Sequence, residues 1–481
     1  MLFSLTEGKK GGIIYKEYFS LFYDRRVISL KILISGSGQV GETLVKQLSQ
    51  EGYDLTVIDS EPQVIEKLTE RYDVMAVHGN CASMETLRSA GAENADLMIA
   101  ATGSDELNLL ASMTVHAINP NIHTIARIRN PEYTEQVYSM RDVFGLSMTF
   151  NPEKQAATEI ERLLKYPGFL KRDSFAKGRV EIVELRIDEK SKLCDVPLSG
   201  LNAIVKCKVL VCAVLREGSS VTPNGNFVLR AGDKIFVTAP TENLSILLKN
   251  LGIVTHKTRR VLLAGGGRVA YYLAEALQND NISVTMIEQN RERATLLAEM
   301  LPKTNIICGD AGSQSLLESE GLSSCDALMT LTDKDELNVI ISMYGSTCDL
   351  PQIITKLDHV TDTKILDKLP VGSVICPRKL CCNNILRYVR AMQNQAGAAI
   401  TIHSIADGQA EAMDFMVDEH TLHCGKPLKE IKLKKNILIV SITRHGMIEI
   451  PNGNSSFEVG DNIVVVVSGK EVVLQLNDIF E

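Results

Sequence analysis

The chain states one pattern twice. The apolar run Lys31-Ile-Leu-Ile-Ser35 leads into the glycine loop Gly36-Ser37-Gly38-Gln39-Val40-Gly41, and 229 residues further on Val261-Leu-Leu-Ala264 leads into Gly265-Gly266-Gly267-Arg268-Val269-Ala270. Asp59, after Leu55-Thr-Val-Ile58, is answered by Glu288 after Val284-Thr-Met-Ile287, and Asp105-Glu-Leu-Asn108 by Asp335-Glu-Leu-Asn338. The distal parts keep step: Pro223-Asn-Gly225 returns as Pro451-Asn-Gly453, and Gly232-Asp233 as Gly460-Asp461. The duplicated unit is therefore a complete multi-part module. No unrepeated stretch is large enough to be a separate catalytic domain.

Hydrophobic periodicity gives each module its fold class. Short runs rich in Ile and Val at 31–35, 55–58, 74–77, 97–101 and 123–128 alternate with helical patterns such as Gly41-Glu-Thr-Leu-Val-Lys-Gln-Leu48, and the second module repeats this at 261–264, 284–287, 305–307, 327–331 and 352–357. Continuous apolar strands alternating with amphipathic helices mean a parallel sheet covered on both faces. The expected fold is α/β: two tandem modules, each a Rossmann-like doubly wound sheet followed by a small α+β domain. Pro152 and Pro377 each stand at the first position of a helical pattern, where the proline ring suits the start of a helix, and these helices serve as connectors. Beyond them, Glu181-Ile-Val-Glu-Leu-Arg-Ile-Asp188 and Glu411-Ala-Met-Asp-Phe-Met-Val-Asp418 alternate as half-buried strands do. The expected divisions are an extension over 1–30, a first Rossmann-like domain over 31–150, a connector over 151–178 and a small domain over 179–255. The second round runs 256–376, 377–405 and 406–481.

Composition removes several classes of function. The net charge of −8 argues against a nucleic-acid partner, which needs clustered Lys and Arg. No apolar stretch reaches the roughly 18–20 residues needed to span a bilayer, so a cytosolic location is the simplest expectation. The eleven cysteines sit mostly in apolar runs and form no disulfide framework. Residues 1–30 stand outside the repeat and mix aromatic and basic residues. They read as a loose tail, or as translation upstream of a natural start near Val27–Leu30; the alternative is a basic aromatic helix resting on a membrane or partner.

The chemistry concentrates in the loops. Gly36 permits the tight turn, Gly38 lets the backbone approach a pyrophosphate, and Gly41 packs the helix onto the strand, with Ser37, Gln39 and Val40 completing the cradle at a helix N-terminus. Asp59 follows at the end of the next strand, where a carboxylate takes ribose hydroxyls and repels a 2′-phosphate. NAD(H) is therefore favoured over NADP(H), while ATP and ADP share the same ribose and stay open. The second loop, Gly265, Gly267, Arg268, Val269 and Ala270 with the acid Glu288, differs in Ala270 and in Arg268, which stands where the first has Gln39. Arg268 is either a phosphate contact or a solvated helix residue. Gly79, Asn80 and Cys81, like Gly309 and Asp310, end the third strands and border the expected adenine. Thr102 lies after the fourth strand. Arg127 and Lys356, on the fifth strands, are phosphate candidates or members of surface ion pairs. Asp105-Glu106 and Asp335-Glu336 read as helix caps rather than acid–base pairs. The soft ligands His420, His423 and Cys424, with Cys376, Cys381 and Cys382, lack the paired spacing of a zinc site. Catalytic and metal-binding residues are expected to be none.

These doubled loops, the acids Asp59 and Glu288, the D-E-L-N segments and the small domains carrying P-N-G and G-D resemble the TrkA family of Trk-type potassium uptake regulators, over about residues 31–481. The resemblance implies regulator-of-potassium-conductance modules, with no chemistry of their own. They would assemble as a homo-oligomeric ring, a tetramer by family pattern, on the cytoplasmic face of a membrane potassium-translocating subunit and gate it when nucleotides bind. The alternatives are an NAD-dependent oxidoreductase, which would need a substrate domain the chain does not offer, and a stand-alone nucleotide sensor.

Overall fold

The computed structural model describes residues 30–481 apart from Pro167, 254–257, 360–365, 367–368, 394–398, 407–408, 470–472 and Leu474. The expectation for the N-terminal extension thus falls almost wholly outside the described residues. The chain divides into two compact units, 1–150 and 151–481.

The first unit runs β1 (Lys31–Ser35), α1 (Gln39–Gln50), β2 (Asp54–Asp59), α2 (Pro62–Arg71), β3 (Met75–His78), α3 (Met84–Ser89), β4 (Leu97–Ala100), α4 (Asp105–Ile118), β5 (His123–Arg127), α5 (Pro131–Ser139) and β6 (Met148–Phe150). The strands form one sheet in the order β3-β2-β1-β4-β5-β6, with parallel pairing throughout. The order reverses between β1 and β4, and such a switch point opens a crevice at the carboxyl ends of the strands. β1 and β4 are buried on both faces, which is why they read as unbroken apolar runs.

The second unit begins with the connector helix α6 (Pro152–Leu164), which Asn151 caps by accepting from Lys154 N at 2.9 Å. The first small domain follows: β7 (Lys171–Phe175), β8 (Val180–Arg186), α7 (Leu201–Val205), β9 (Leu210–Arg216), β10 (Ser219–Val221), β11 (Lys234–Pro240) and α8 (Leu244–Leu251). The second Rossmann-like domain comprises β12 (Arg260–Ala264), α9 (Arg268–Asn279), β13 (Ser283–Glu288), α10 (Arg291–Met300), β14 (Asn305–Cys308), α11 (Gln314–Ser319), β15 (Ala327–Thr330), α12 (Asp335–Ser346), β16 (Gln352–Lys356) and β17 (Ser373–Ile375). The second connector α13 (Pro377–Gln393) leads to β18 (Thr401–Ile405), β19 (Ala410–Met416), β20 (Ile437–Arg444), β21 (Met447–Glu449) and β22 (Asn462–Ser468). The Rossmann sheet again has the order 3-2-1-4-5-6, and the small sheets are ordered β10-β9-β11-β8-β7 and β18-β19-β22-β20-β21, the same topology twice.

Six strands were not legible as such, among them the short β10 and β21. β6 and β17 add a sixth strand to each Rossmann sheet, and β7 and β18 fall within segments expected to be connectors yet form edge strands of the small sheets. α6 packs its apolar stripe, Ala156, Ala157, Ile160, Leu163 and Leu164, onto the second Rossmann domain against Leu273 and Leu277 of α9. The two small domains also pack on each other: Phe175, Ile182, Cys212 and Phe236 share a core with Ile405, Ala412, Val440 and Val464. β11 is consequently buried along its whole length, with Ile235 and Val237 under Leu244 and Leu247 of α8 and Phe236 turned toward the other small domain.

Candidate functional site

In the first unit Gly36 makes the turn out of β1 with φ +86°, and an added Cβ there would stand 2.7 Å from the Thr102 backbone after β4. Only glycine fits both the left-handed conformation and the close approach. A Cβ on Gly41 would collide with the Gly36 carbonyl oxygen, so the third glycine is a packing requirement. Gly38 differs: its backbone is extended, and a Cβ there would meet nothing within 4 Å. Its lack of a side chain serves open space, not the fold. Gly38 is also the N-cap of α1 and supplies no side-chain cap, whereas α4 and α5 are capped by Ser104 and Asn130. Ser37 Oγ is buried beside this cradle without a hydrogen-bond partner.

Asp59 closes the site from β2. Its Oδ2 accepts from Ser37 N at 2.6 Å and its Oδ1 from Glu61 N at 3.0 Å. A carboxylate oxygen has lone pairs to spare for a further donor, so the acid both fixes the loop and can take a hydroxyl. Gly79 N donates to the Asp59 carbonyl oxygen at 2.9 Å, and Asn80 Oδ1 accepts from Ala82 N at 3.0 Å, which folds the turn after β3. Cys81 is buried, and burial raises its thiol pKa; it is a floor residue rather than an exposed contact.

The D-E-L-N segment works differently from the sequence expectation. Ser104, not an acidic residue, caps α4 by accepting from Leu107 N at 3.2 Å. Asp105 is turned inward, its Oδ2 accepting from Arg129 N and Asn130 N at 2.8 Å each. Asn108 Oδ1 accepts from Thr102 N at 2.9 Å and Thr102 Oγ1 at 2.7 Å, while its Nδ2 donates to the Arg127 carbonyl oxygen at 2.9 Å. The motif thus ties the loops after β4 and β5 into one rigid edge, because a buried aspartate and asparagine must satisfy their lone pairs and N–H groups locally. The Arg127 guanidinium folds back onto the Thr102 carbonyl oxygen.

The second unit repeats the edge. Asn338 Oδ1 accepts from Thr332 N at 2.9 Å and Oγ1 at 2.7 Å, and its Nδ2 donates to the Lys356 carbonyl oxygen at 3.0 Å. Asp335 accepts from Asp358 N and His359 N at 2.8 and 2.7 Å, so here too the acid anchors a loop instead of capping. Lys356 Nζ, nearly buried, donates to the Thr332 carbonyl oxygen at 2.9 Å and to Asp358 Oδ2 at 2.7 Å.

Its glycine loop is retuned. Glu288 Oε2 accepts from Gly266 N at 2.8 Å and Oε1 from Asn290 N at 2.7 Å, the bonds Asp59 makes in the first unit. The longer acid reaches farther in: a Cβ on Gly266 would lie 2.7 Å from Glu288 Oε2 and 2.6 Å from Leu297 Cδ1. Ser37 with Asp59 and Gly266 with Glu288 are matched pairs. Gly265 turns with φ +106°, wider than Gly36, and the loop accommodates the fully buried Ala270 methyl. Gly267, followed by Val269 in α9, is again an N-cap without a side-chain cap and has no atom nearer than 3.9 Å to an added Cβ. Arg268 is exposed at the first turn of α9, and Arg293 Nε donates to the Gly266 carbonyl oxygen at 3.2 Å. Arg293 stands where the first module has Val64; lining up the two modules residue by residue would have exposed it. Gly309 N bonds the Glu288 carbonyl oxygen at 2.9 Å, and Asp310 Oδ1 accepts from Gly312 N at 2.8 Å. Among the described residues no group of His, Cys, Asp or Glu is arranged to hold a metal, and no helix is long and apolar enough to cross a membrane.

The comparisons with known proteins follow the same division. The TrkA-N domain matches residues 32–151 and 261–377, and the TrkA-C domain matches 182–252 and 413–479. The Trk system potassium uptake protein TrkA of Haemophilus influenzae is 30% identical over 460 residues, covering 94% of this chain and 99% of that protein. A TrkA homologue of Archaeoglobus fulgidus is 30% identical over 443 residues, covering 92% and 98%. Among solved structures, the GsuK channel bound to NAD aligns with a TM-score of 0.58 at 15% identity, over 95% of this chain and 82% of that one, and the isolated GsuK RCK domain gives 0.58 at 15%, over 92% of each. Two glycine-loop sheets and two small antiparallel domains, matched in tandem along almost the whole described chain, make this protein a member of the TrkA family.

Proposed function

We infer that the protein is a nucleotide-responsive regulatory subunit of a Trk-type potassium uptake system, acting from the cytoplasmic face on a membrane potassium-translocating subunit and performing no chemistry itself. The observation that carries this reading is the pair of uncapped helix N-termini at Gly38 and Gly267, each open to space and each with a carboxylate anchored to the loop amide. Backbone N–H groups at a helix N-terminus suit phosphate, and Ser37 Oγ adds a buried hydroxyl lacking a partner. The residues fit an adenosine nucleotide: the glycine loops for phosphates, Asp59 and Glu288 for ribose hydroxyls, and the Gly79–Cys81 and Gly309–Asp310 turns beside the base. Asp59 favours NAD(H) over NADP(H), and ATP or ADP fit the same contacts. Arg268 and Arg293 give the second site more positive charge, so its ligand preference leans toward additional phosphate.

A ligand shifts a gate only by binding one conformation better than the other, and a 100-fold shift needs about 2.7 kcal/mol of differential affinity. A ring of several chains lets many sites share that work. Support for self-assembly comes from Leu110 and Met113 on α4, 51% and 38% exposed, which recur as Ile340 and Met343 on α12, 63% and 37% exposed. Apolar pairs at helical spacing, repeated on both Rossmann domains, suit a surface that closes on copies of itself, and a tetramer would present eight such faces.

The test is potassium uptake at low external potassium. Deletion of the protein is expected to impair uptake, and Gly38→Val is expected to remove its nucleotide dependence while circular dichroism stays native. Normal uptake in the deletion strain, or full nucleotide control in the variant, overturns the reading. Recovery with a membrane potassium transporter from detergent extracts is the corresponding test of the partner.

A further inference from the structure

Away from the glycine loops, the described residues gather a dense set of buried charges where α6, α13 and the two small domains meet. Arg172 on β7 is buried and pairs with Glu181 on β8 through two bonds of 2.7 Å. It also donates to the Arg162 carbonyl oxygen at 2.6 Å and lies over the Tyr166 ring at 4.6 Å. Arg162 on α6 reaches Glu159 at 2.9 Å and Ser174 Oγ at 2.6 Å. Asp173 is held between Lys171 Nζ and His403 Nδ1, each at 3.0 Å.

The last contact is a meeting of equals. Asp173 and His403 occupy the same position of the two modules, 230 residues apart, and touch where the small domains pack. Two identical modules would set the same side chain against itself there. Next to them Asp414 on β19 accepts from Ala176 N at 3.3 Å, yet its Oδ1 is buried without a partner, as are His403 Nε2 and Arg387 Nε on α13. Asp414 and Arg387 act on each other electrostatically. A buried acid with an unpartnered oxygen is costly when ionised.

We propose that this junction is a proton-linked joint between the connector helix α6 and the paired small domains, tight when Glu159 and Asp414 carry protons and looser when they lose them. The groups facing Glu159 are Arg162 on its own helix and Lys171, Arg172 and Asp173 on β7. Those facing Asp414 are His403 on β18, Arg387 on α13, Asn462 on β22 and the Ala176 N–H. Burial pushes Glu159 up to about 7 despite Arg162, and pushes Asp414 up to about 6 despite its hydrogen bonds. Asp173 goes the other way. Burial alone would raise it, but Lys171 and His403 outweigh burial and hold it well below the usual carboxylate range.

The pH window follows. A carboxyl whose folded pKa is raised binds more protons in the closed state over the range between its ordinary value and its raised one, so closure is favoured at acid pH, weakens as pH climbs from the ordinary carboxylate range to about 6 to 7, and levels off above it. Asp173, being depressed, is ionised on both sides of that window and contributes no slope within it. The joint is placed to matter, because the opposite face of α6 packs on α9, the helix that starts at the second glycine loop.

The test is hydrogen exchange on the full chain, corrected for intrinsic rates. Protection in β7 and β18 is expected to fall between about pH 5 and 7, by up to about tenfold per pH unit for each proton released, and to level off above that. Glu159→Gln and Asp414→Asn mimic the protonated forms; each is expected to flatten the slope and to raise protection at about pH 7 towards that of the unaltered protein at about pH 5. Asp173→Asn is the control, expected to lower protection equally at every pH. A slope unchanged in both neutral variants, or unaltered protein with level protection across the window, overturns the proposal.

Discussion

The two Rossmann-like domains share a strand order and a motif set, and they differ where a ligand would sit. The first loop combines Ser37 with Asp59, and has Gln39 and Val64 at the positions of Arg268 and Arg293. The second combines Gly266 with Glu288 and adds Arg268 and Arg293. Lengthening the acid by one methylene without clearing Ser37's counterpart would have brought heavy atoms to 2.7 Å, so the changes form a coupled set. Duplication kept the scaffold and let the sites diverge. The D-E-L-N scaffold is unchanged because its asparagine and aspartate satisfy buried backbone groups on two loops at once.

The comparison breaks most sharply at the glycines that touch nothing. Gly38→Val and Gly267→Val place a side chain where the fold leaves room but a pyrophosphate would approach the backbone. Titration calorimetry of the unaltered protein is expected to show two nucleotide sites per chain. Each substitution is expected to remove one, weakening it at least about 100-fold, roughly 2.7 kcal/mol, with an unchanged melting temperature. Loss of both sites from one substitution would show that the domains do not bind independently.

Next in size is Asp59→Ala. It removes the acceptor for Ser37 N and any bond to a ribose hydroxyl, and charge-assisted bonds of that kind contribute about 1.5–3 kcal/mol. NADH affinity at the first site is expected to fall by about tenfold or more, and the preference over NADPH to disappear, since the carboxylate that repels a 2′-phosphate is gone. Equal affinity of the unaltered site for NADH and NADPH would remove the dinucleotide assignment.

How far these features were readable in the sequence depends on what each residue is buried against. The central strands were legible because Ile32–Ile34 and Val261–Leu263 are buried on both faces by apolar neighbours. β7 was not. Its sequence Lys-Arg-Asp-Ser-Phe falls in the stretch expected to be a connector, yet Arg172 and Asp173 are buried by ion pairs from β8 and β18, and no local pattern reports a partner as distant in sequence as His403. β6 and β17, three residues each, are too short to show a period. The turn at Gly36, the packing at Gly41 and the place of both acids beside their loops were legible from spacing. Asp105 was misread as a cap because its partners, Arg129 N and Asn130 N, are neighbours only in the fold.

The matched pairs give a smaller and more specific test. Gly266→Ser forces a Cβ against Glu288 and Leu297 and is expected to destabilise the second unit by about 1–3 kcal/mol, as overpacking does. Shortening the acid in the double variant Gly266→Ser with Glu288→Asp recreates the first module's pair and is expected to recover at least half of that loss. A double-mutant cycle in urea reads the coupling directly. Additive effects would mean that the Ser–Asp and Gly–Glu combinations are unrelated.

The smallest expected effect is at Arg293, and it bears on whether the second site's charge is tuned for ligand or merely holds its loop. Arg293→Val installs the first module's residue. Loss of the single bond to the Gly266 carbonyl costs little stability, about 0.5–1.5 kcal/mol, because that carbonyl can turn to water. Loss of the cation acts on ligand phosphate over a screened distance, so its mark is in the salt dependence more than in affinity at any one condition. At low ionic strength ATP binding to the second site is expected to weaken severalfold, and between 0.05 and 0.5 M salt, on the order of a threefold change in Debye length, the variant is expected to show a shallower decline than the unaltered protein. Binding at the first site should not change. If the second-site salt profile is the same with and without Arg293, its guanidinium serves the loop alone, and Arg268 is left as the cation that distinguishes the two sites.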